Sequence, residues 1–368
     1  MKKLKDFNKF DRFILLSDIH LGVRNDSIEW LENIENYFDN FFIPKLKEEV
    51  LLGKTAIIIA GDIFDNRQRL DINTLNIAQN IFDKILAVDK SIIIYSIIGN
   101  HDLYRKKTLT ITSLKALRQD RFVIIDELSE GICGSQKFLF IPWVGNSKQE
   151  TEIIKNNQGY DYIIMHSDIS GGFYDNGRQI INGTNISVSA AHVYSGHIHK
   201  AQDCRNLTYI GSPYHLSRSD IDNNKRLIIL YTDNNKLKEK IVINDYSPIF
   251  LRLYLRDILN MKLEDLEKII SNNYCDIIVN ENDVKDFSIS KFINAVADAK
   301  YKKVEVIITK NEINDIKELN NTLGNKNVSI IEVVEDSIKN MEGLSTADVK
   351  NLLKINDMYF SMATNENI

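Results

Sequence analysis

The chain has 368 residues, 43% hydrophobic and 26% charged, which is ample for a buried core and excludes a wholly disordered protein. Four prolines and sixteen glycines exclude collagen-like and linker-like readings, and the length favours two domains over one. A net charge of −5 argues against holding nucleic acid by bulk positive charge.

Residues 13–17 (FILLS) read as a buried strand. Residues 27–49 follow as a helix with Ile28, Leu31, Ile34, Phe38, Phe41 and Phe42 on one side, bent near Pro44. A second strand is expected at 55–60 (TAIIIA) and a helix at 71–88, where Leu75, Ala78, Ile81, Phe82, Ile85 and Leu86 recur at helical spacing. A third strand at 91–98 (SIIIYSII) and further strands at 122–125, 138–141 and 160–165 complete a layered α/β domain. Past about residue 245 the character changes. Strands at 248–255, 276–279 and 303–308 with helices at 263–271 and 290–299 predict a small α+β unit. Residues 332–368 read as one or two amphipathic helices. The expected boundaries are therefore 1–245, 246–331 and 332–368.

Cys133, Cys204 and Cys275 are odd in number and form no CxxC pair, so neither a disulfide framework nor a thiolate zinc site is expected, and a reducing compartment is. Residues 1–11 lack a signal-like apolar stretch, and the most apolar runs are too short to span a bilayer. A cytoplasmic protein with no membrane partner is expected.

Polar residues gather directly after the strands: Asp18-Ile19-His20, Gly61-Asp62-Ile63-Phe64-Asp65, Gly99-Asn100-His101-Asp102, His166, and Gly196-His197-Ile198-His199. Ligand sites of α/β sheets lie outside the carboxyl ends of strands. Aspartate, asparagine and histidine together offer oxygen and nitrogen ligands that suit manganese, iron or zinc better than calcium. A carboxylate such as Asp62 can bridge two ions about 3.5–4 Å apart, as in two-metal phosphoester hydrolysis. The GHxH segment is expected to place two imidazoles on one side of an extended stretch. By contrast His192 and His215, outside any such cluster, read as structural or surface histidines.

This series resembles the calcineurin-like metallophosphoesterases (D-x-H, G-D-x-x-D, G-N-H-D/E, H, G-H-x-H), and within them the SbcD-type DNA repair nucleases. The narrower resemblance rests on Leu21-Gly22 after the first motif, Ile141-Pro142-Trp143, Gly171-Gly172-Phe173 after His166, and Tyr209-Ile-Gly-Ser-Pro213. The spacing is most similar to the recombination endonuclease subunits of tailed phages. The resemblance covers about residues 13–245 and implies a layered β-sandwich core flanked by helices, with the small α+β domain capping it or binding DNA. It further implies that Asp18, His20, Asp62 and His199 hold one divalent ion, and that Asp62, Asn100, His166 and His197 hold a second. Manganese is expected and magnesium is the alternative. His101 would stand at the scissile phosphate with Asp102 fixing its orientation. Asp65 stands where some relatives carry a histidine that helps place the DNA strand, which leaves the exonuclease–endonuclease balance open.

Arg24, Arg67, Arg69, Arg105, Lys106, Lys107 and Lys200 follow the motifs, and these loop cations are expected to meet a DNA backbone. The resemblance implies double-strand exonuclease and single-strand endonuclease activity, a homodimer, and an SbcC-like coiled-coil ATPase completing a heterotetramer. The C-terminal helices would either dock on that ATPase or pack on the second domain. The alternatives are a phosphodiesterase of small nucleotides and a non-catalytic adaptor for DNA ends.

Overall fold

A computed structural model describes residues 1–105, 111–234, 236–280, 292 and 302–309. The chain forms one compact unit of residues 1–279 and 284–307 and another of 280–283 and 308–368, and the site lies in the first. The tail at 332–368, and all of the helix expected at 290–299 except Phe292, fall outside the described residues.

The core is two stacked sheets. The first runs Lys236–Ile243, Arg226–Asp233, Arg12–Leu16 (β1), Thr55–Ile59 (β2), Ile94–Ile97 (β3) and Phe122–Ile125. From β1 onward its strands are parallel, and the two at the other edge are antiparallel. The second runs Lys2–Lys3, Ser129–Cys133, Gln136–Ile141, Tyr162–His166 (β4), His192–Gly196 (β5), Leu207–Tyr209 and Gln202–Cys204. Alternate residues of each strand face opposite layers. Phe13, Leu15, Ala56, Ile58, Tyr95 and Ile97 meet Phe138, Phe140, Ile164 and Tyr194 between the sheets. Ile14, Leu16, Ile57 and Ile59 point outward to helices α1 (Ile28–Tyr37), α2 (Ile43–Leu52) and α3 (Ile72–Ala87). Burial on both faces is why these strands read as unbroken apolar runs.

The bend expected near Pro44 is a π-turn over Phe38–Phe42, in which the Ile43 amide donates to the carbonyl of Phe38. A proline ring collides with the carbonyl four residues back, and widening the ladder just ahead of it relieves that conflict. Asp71 caps α3, its carboxylate accepting from the amides of Asn73 (2.8 Å) and Thr74 (3.3 Å).

Beyond the sandwich, Phe250–Tyr254, Tyr274–Asn280 and Lys303–Thr309 form a three-stranded sheet, with a helix at Leu263–Ile270 between the first two strands. It is joined to α1 by aromatic stacking, Trp30 lying 5.6 Å from Tyr274 and 6.1 Å from Phe250 between ring centres. No helix among the described residues is long and apolar enough to cross a membrane.

Candidate metal centre

The sandwich brings all five polar segments to one end. Asp18 and His20 follow β1, Asp62 follows β2, Asn100 follows β3, His166 closes β4, and His197 and His199 follow β5, where His166 pairs with Gly196 across the sheet. Three overlapping groups of potential ligands result, Asp18 with His20 and His199, Asp62 with His166 and His197, and His20 with Asp65 and His101, the ligating atoms within each group lying within 4.8 Å of one another. Asp62 faces the first two: its Oδ2 is 3.1 Å from His166 Nε2 and 3.8 Å from His20 Nε2. Asn100 Oδ1 is 3.0 Å from His166 Nε2 and 2.8 Å from His197 Nδ1.

The backbone bends sharply to achieve this. Asp18 (φ 52°), His20 (φ 50°), Asp62 (φ 55°) and His197 (φ 87°) all occupy the left-handed region, which side-chain-bearing residues rarely adopt. For His197 this corrects the extended segment expected for GHxH. The chain turns there, so His197 and His199 serve different groups. Gly61 (φ 90°) has no room for a side chain, since a Cβ would stand 2.6 Å from His166 Nδ1, and a Cβ on Gly99 would stand 2.2 Å from Asp62 Oδ1.

Beside each histidine stands an oxygen, within hydrogen-bond distance of the ring at His20 and His166 and farther off, as a charged neighbour, at His197 and His199. Asp65 Oδ1 lies 2.9 Å from His20 Nδ1, and the Ala60 carbonyl 2.7 Å from His166 Nδ1. Asp168 Oδ1 lies 3.4 Å from His197 Nε2, and Asp175 Oδ2 lies 3.6 Å from His199 Nδ1. Carboxylates and carbonyls in that position orient a metal-binding imidazole and raise its basicity. The His199 backbone is held as well, its carbonyl accepting from buried Lys225 (2.7 Å), which is paired in turn with Asp220 (2.6 Å).

Burial alone would raise the Asp62 carboxyl, but the His166 ring, by charge and hydrogen bond, holds it far below the carboxylate range. His166 is pushed up to about 9, because the Asp62 and Asp18 carboxylates outweigh the burial that opposes its charge. Burial and the adjacent His20 push His199 down to about 3. His20 and His199 also turn their Nε2 atoms toward each other at 3.0 Å, a contact that one shared proton closes as N–H···N and that a bound cation would take over. A divalent cation between them would accept both nitrogens and the nearby carboxylates, and a nitrogen–oxygen donor set without sulfur fits such an ion.

His101 stands at the rim, half-buried, with Nδ1 2.6 Å from the Asp65 carbonyl, and burial lowers its pKa. Asp102 does not orient that ring. Its buried carboxylate accepts from the backbone amides of Asp62 (2.9 Å), Ile63 (3.0 Å) and Gly99 (2.9 Å), tying the second and third motifs together. Arg24 also departs from expectation: its guanidinium stacks 4.9 Å over Trp30, at the joint with the three-stranded sheet. Arg67 is half-buried near His101, Arg69 is exposed and 3.9 Å from Asp26, Arg105 is exposed beside Tyr104, and Lys200 is half-buried. Lys106 and Lys107 lie outside the described residues.

The calcineurin-like phosphoesterase family profile matches residues 11–201, a span holding every segment of the centre. Exonuclease subunit 1 of Enterobacteria phage T4 is 23% identical over 328 residues, covering 78% of this chain and 93% of that protein. The predicted phosphoesterase 244L of Invertebrate iridescent virus 6 is 25% identical over 230 residues, 60% of this chain and 77% of that protein. The predicted phosphoesterase 078R of Invertebrate iridescent virus 3 is 30% identical over 112 residues, 28% of this chain and 31% of that protein.

Proposed function

The chain belongs to the calcineurin-like phosphoesterase family, and on that footing we propose that it is a two-metal DNA phosphodiesterase, the nuclease subunit of an SbcCD-like recombination and repair complex. The observation that carries the reading is the placement of Asp62 between two histidine groups, 3.1 Å from His166 and 3.8 Å from His20. Asp18, His20, Asp62 and His199 would hold one ion and Asp62, Asn100, His166 and His197 the other, with manganese the ion of choice. Ions bound there would polarise the phosphodiester and acidify a water. The chain itself supplies the rest. The His101 Nδ1–H donates to the Asp65 carbonyl, so Nε2 is the atom left to face the phosphate; once that nitrogen has taken up a proton, the imidazolium would stabilise developing charge and pass the proton to the leaving oxygen. Asp102 holds the backbone on which Asp62, Asn100 and His101 stand.

DNA as the substrate is supported by the similarity to the phage exonuclease subunit, which runs well past the phosphoesterase span. Arg67, Arg69, Arg105 and Lys200, with Lys106 and Lys107, are the cations that would meet its backbone. In this reading the protein works in the cytoplasm, that of the host if phage-encoded, as a homodimer with a coiled-coil ATPase. Residues 246–331 cap the nuclease domain, and 332–368 dock on the ATPase.

The test is hydrolysis of end-labelled duplex DNA, single-stranded DNA and a small phosphodiester with manganese, magnesium or chelator. Manganese-dependent DNA cleavage is expected, reduced at least about 100-fold in His101→Ala while the bound metal stays the same. Turnover of the small ester with DNA untouched, even with the ATPase added, would make the protein a small-nucleotide phosphodiesterase instead.

A further inference from the structure

Between β4 and β5 the chain makes an excursion over residues 168–184. Both roots are pinned, because the buried Glu150 carboxylate accepts from the hydroxyls of Ser167 and Thr184. Inside them the strands hold each other through Thr184 N to Asp168 O (2.7 Å), Gly171 N to Ile180 O (2.9 Å) and Ile180 N to Gly172 O (2.8 Å). The tip is a tight turn. The Tyr174 amide donates to the Arg178 carbonyl (2.9 Å), Gly177 N to the Tyr174 carbonyl (2.8 Å), and Asn176 Oδ1 accepts from Arg178 N (3.0 Å).

At this rigid tip the chain leaves two aromatic side chains in water, Phe173 at 42% exposure and Tyr174 at 38%. Phe173 is held firmly, since the Gln202 amide donates to its carbonyl (2.8 Å) and accepts from its amide (2.9 Å). Arg178 is exposed on the same turn. Asp175, which follows Tyr174, accepts from Lys200 N (2.9 Å) and stands 3.6 Å from His199. Two residues of chain reach at most about 7–8 Å, so the backbone carrying both aromatics starts close to Asp175, and the Tyr174 phenol lies near enough to Asp168, the neighbour of His197, to feel its charge. Exposed aromatics beside a cation, on a backbone already ordered, match the way single strands are gripped without regard to sequence: bases stack on rings while phosphates meet positive charge.

We propose that Phe173 and Tyr174 form a stacking platform for unpaired bases of a DNA strand entering the metal centre, with Arg178 against its backbone. The proposal rests on the nuclease reading and specifies which form of DNA the site receives.

The test uses the full chain with manganese and single-stranded DNA carrying 2-aminopurine near its end, with a small phosphodiester that has no base as the parallel substrate. Phe173→Ala/Tyr174→Ala is expected to raise KM for the strand about tenfold or more and to abolish the 2-aminopurine quenching, with small-ester turnover within about twofold of wild type. Phe173→Trp should preserve both KM and quenching, and Arg178→Gln should raise KM about threefold with a weaker salt dependence. Wild-type KM and quenching in the double variant would overturn the platform and leave the nuclease reading intact. Equal loss on the small ester would assign both rings to holding Asp175 behind His199, overturning the platform as well. Failure of the wild-type protein to cleave the strand, even with the ATPase added, would instead remove the nuclease reading and the platform with it.

Discussion

Two regions of the molecule gather polar side chains, and they treat them differently. At the ends of the parallel strands, His20 and His199 aim Nε2 atoms at each other across 3.0 Å, and Asp62 lies between ring nitrogens of both histidine groups. At the joint with the three-stranded sheet, Arg218 pairs bidentately with buried Asp276 (2.7 and 2.8 Å) and also reaches Glu305, while Arg24 caps the aromatic stack of Trp30 and Phe250. One region converges nitrogen and carboxylate groups on a common space, and the other closes Arg218 and Arg24 on their neighbours. Position beside a motif therefore says less about function than whether a side chain's partners are already in place. Arg24 stands only two residues past the end of the first motif's Leu21-Gly22 and belongs to the joint.

The joint offers the largest effect. Trp30 is 6% exposed, wedged between Tyr274, Phe250 and the Arg24 guanidinium. Trp30→Ala is expected to cost about 3–5 kcal/mol of unfolding free energy in a denaturant titration. Metal titration at the folded baseline should be unchanged, since the stack is built from Trp30, Phe250, Tyr274 and Arg24, none of them a residue of the centre. Equal loss of metal affinity would erase the distinction between the two regions.

His215 sharpens the comparison, because it is a histidine with both nitrogens satisfied. Nδ1 accepts from the Phe250 amide (3.2 Å), so Nε2 carries the proton and donates to the Asn223 carbonyl (3.1 Å). Burial, reinforced by Lys225, pushes its pKa down to about 4. Below the ordinary histidine value of about 6.5 the unfolded chain gains a proton that the folded ring refuses. The stabilisation is thus complete above pH 6.5 or so and lost as pH falls toward 4, in all on the order of 3 kcal/mol. Unfolding curves from pH 7.5 to 4.5 should show His215→Gln with a shallower decline than wild type. Parallel declines would mean that the ring titrates normally.

The contrast between the two regions also sets what could be read in advance. The strands at 13–17 and 55–60 were legible because burial on both faces leaves unbroken apolar runs, and observed strands match them within a residue at either end. The five polar segments were legible because chain order and strand ends survive folding. The supports were not. Asp168, Asp175 and Lys225 stand behind His197 and His199 through contacts between separate loops, and nothing local marks an aspartate that will back an imidazole. The role of Asp102 was misread for the same reason, since its partners are backbone amides of a segment about forty residues earlier. The turn at His197 was invisible too, because a left-handed φ at a histidine is imposed by its surroundings.

Asp65 carries the smallest effect and the most direct test of this distinction. It ends the second motif, where its residue type alone suggests another ligand, yet its carboxylate meets His20 at Nδ1, the nitrogen facing away from His199 and Asp62. Burial alone would raise its pKa, and the His20 hydrogen bond and charge overturn that and lower it. An ionised Asp65 fixes the His20 tautomer with its lone pair on Nε2, aimed into the centre. Asp65→Asn keeps an acceptor without the charge, and Asp65→Ala keeps neither. Manganese affinity followed by calorimetry or paramagnetic resonance should fall about 10–100-fold in Asp65→Ala and less in Asp65→Asn, with the number of bound ions unchanged. Loss of one ion from the stoichiometry would make Asp65 a ligand in its own right, and the third grouping of His20, Asp65 and His101 would then replace Asp18, His20 and His199 as the first metal position.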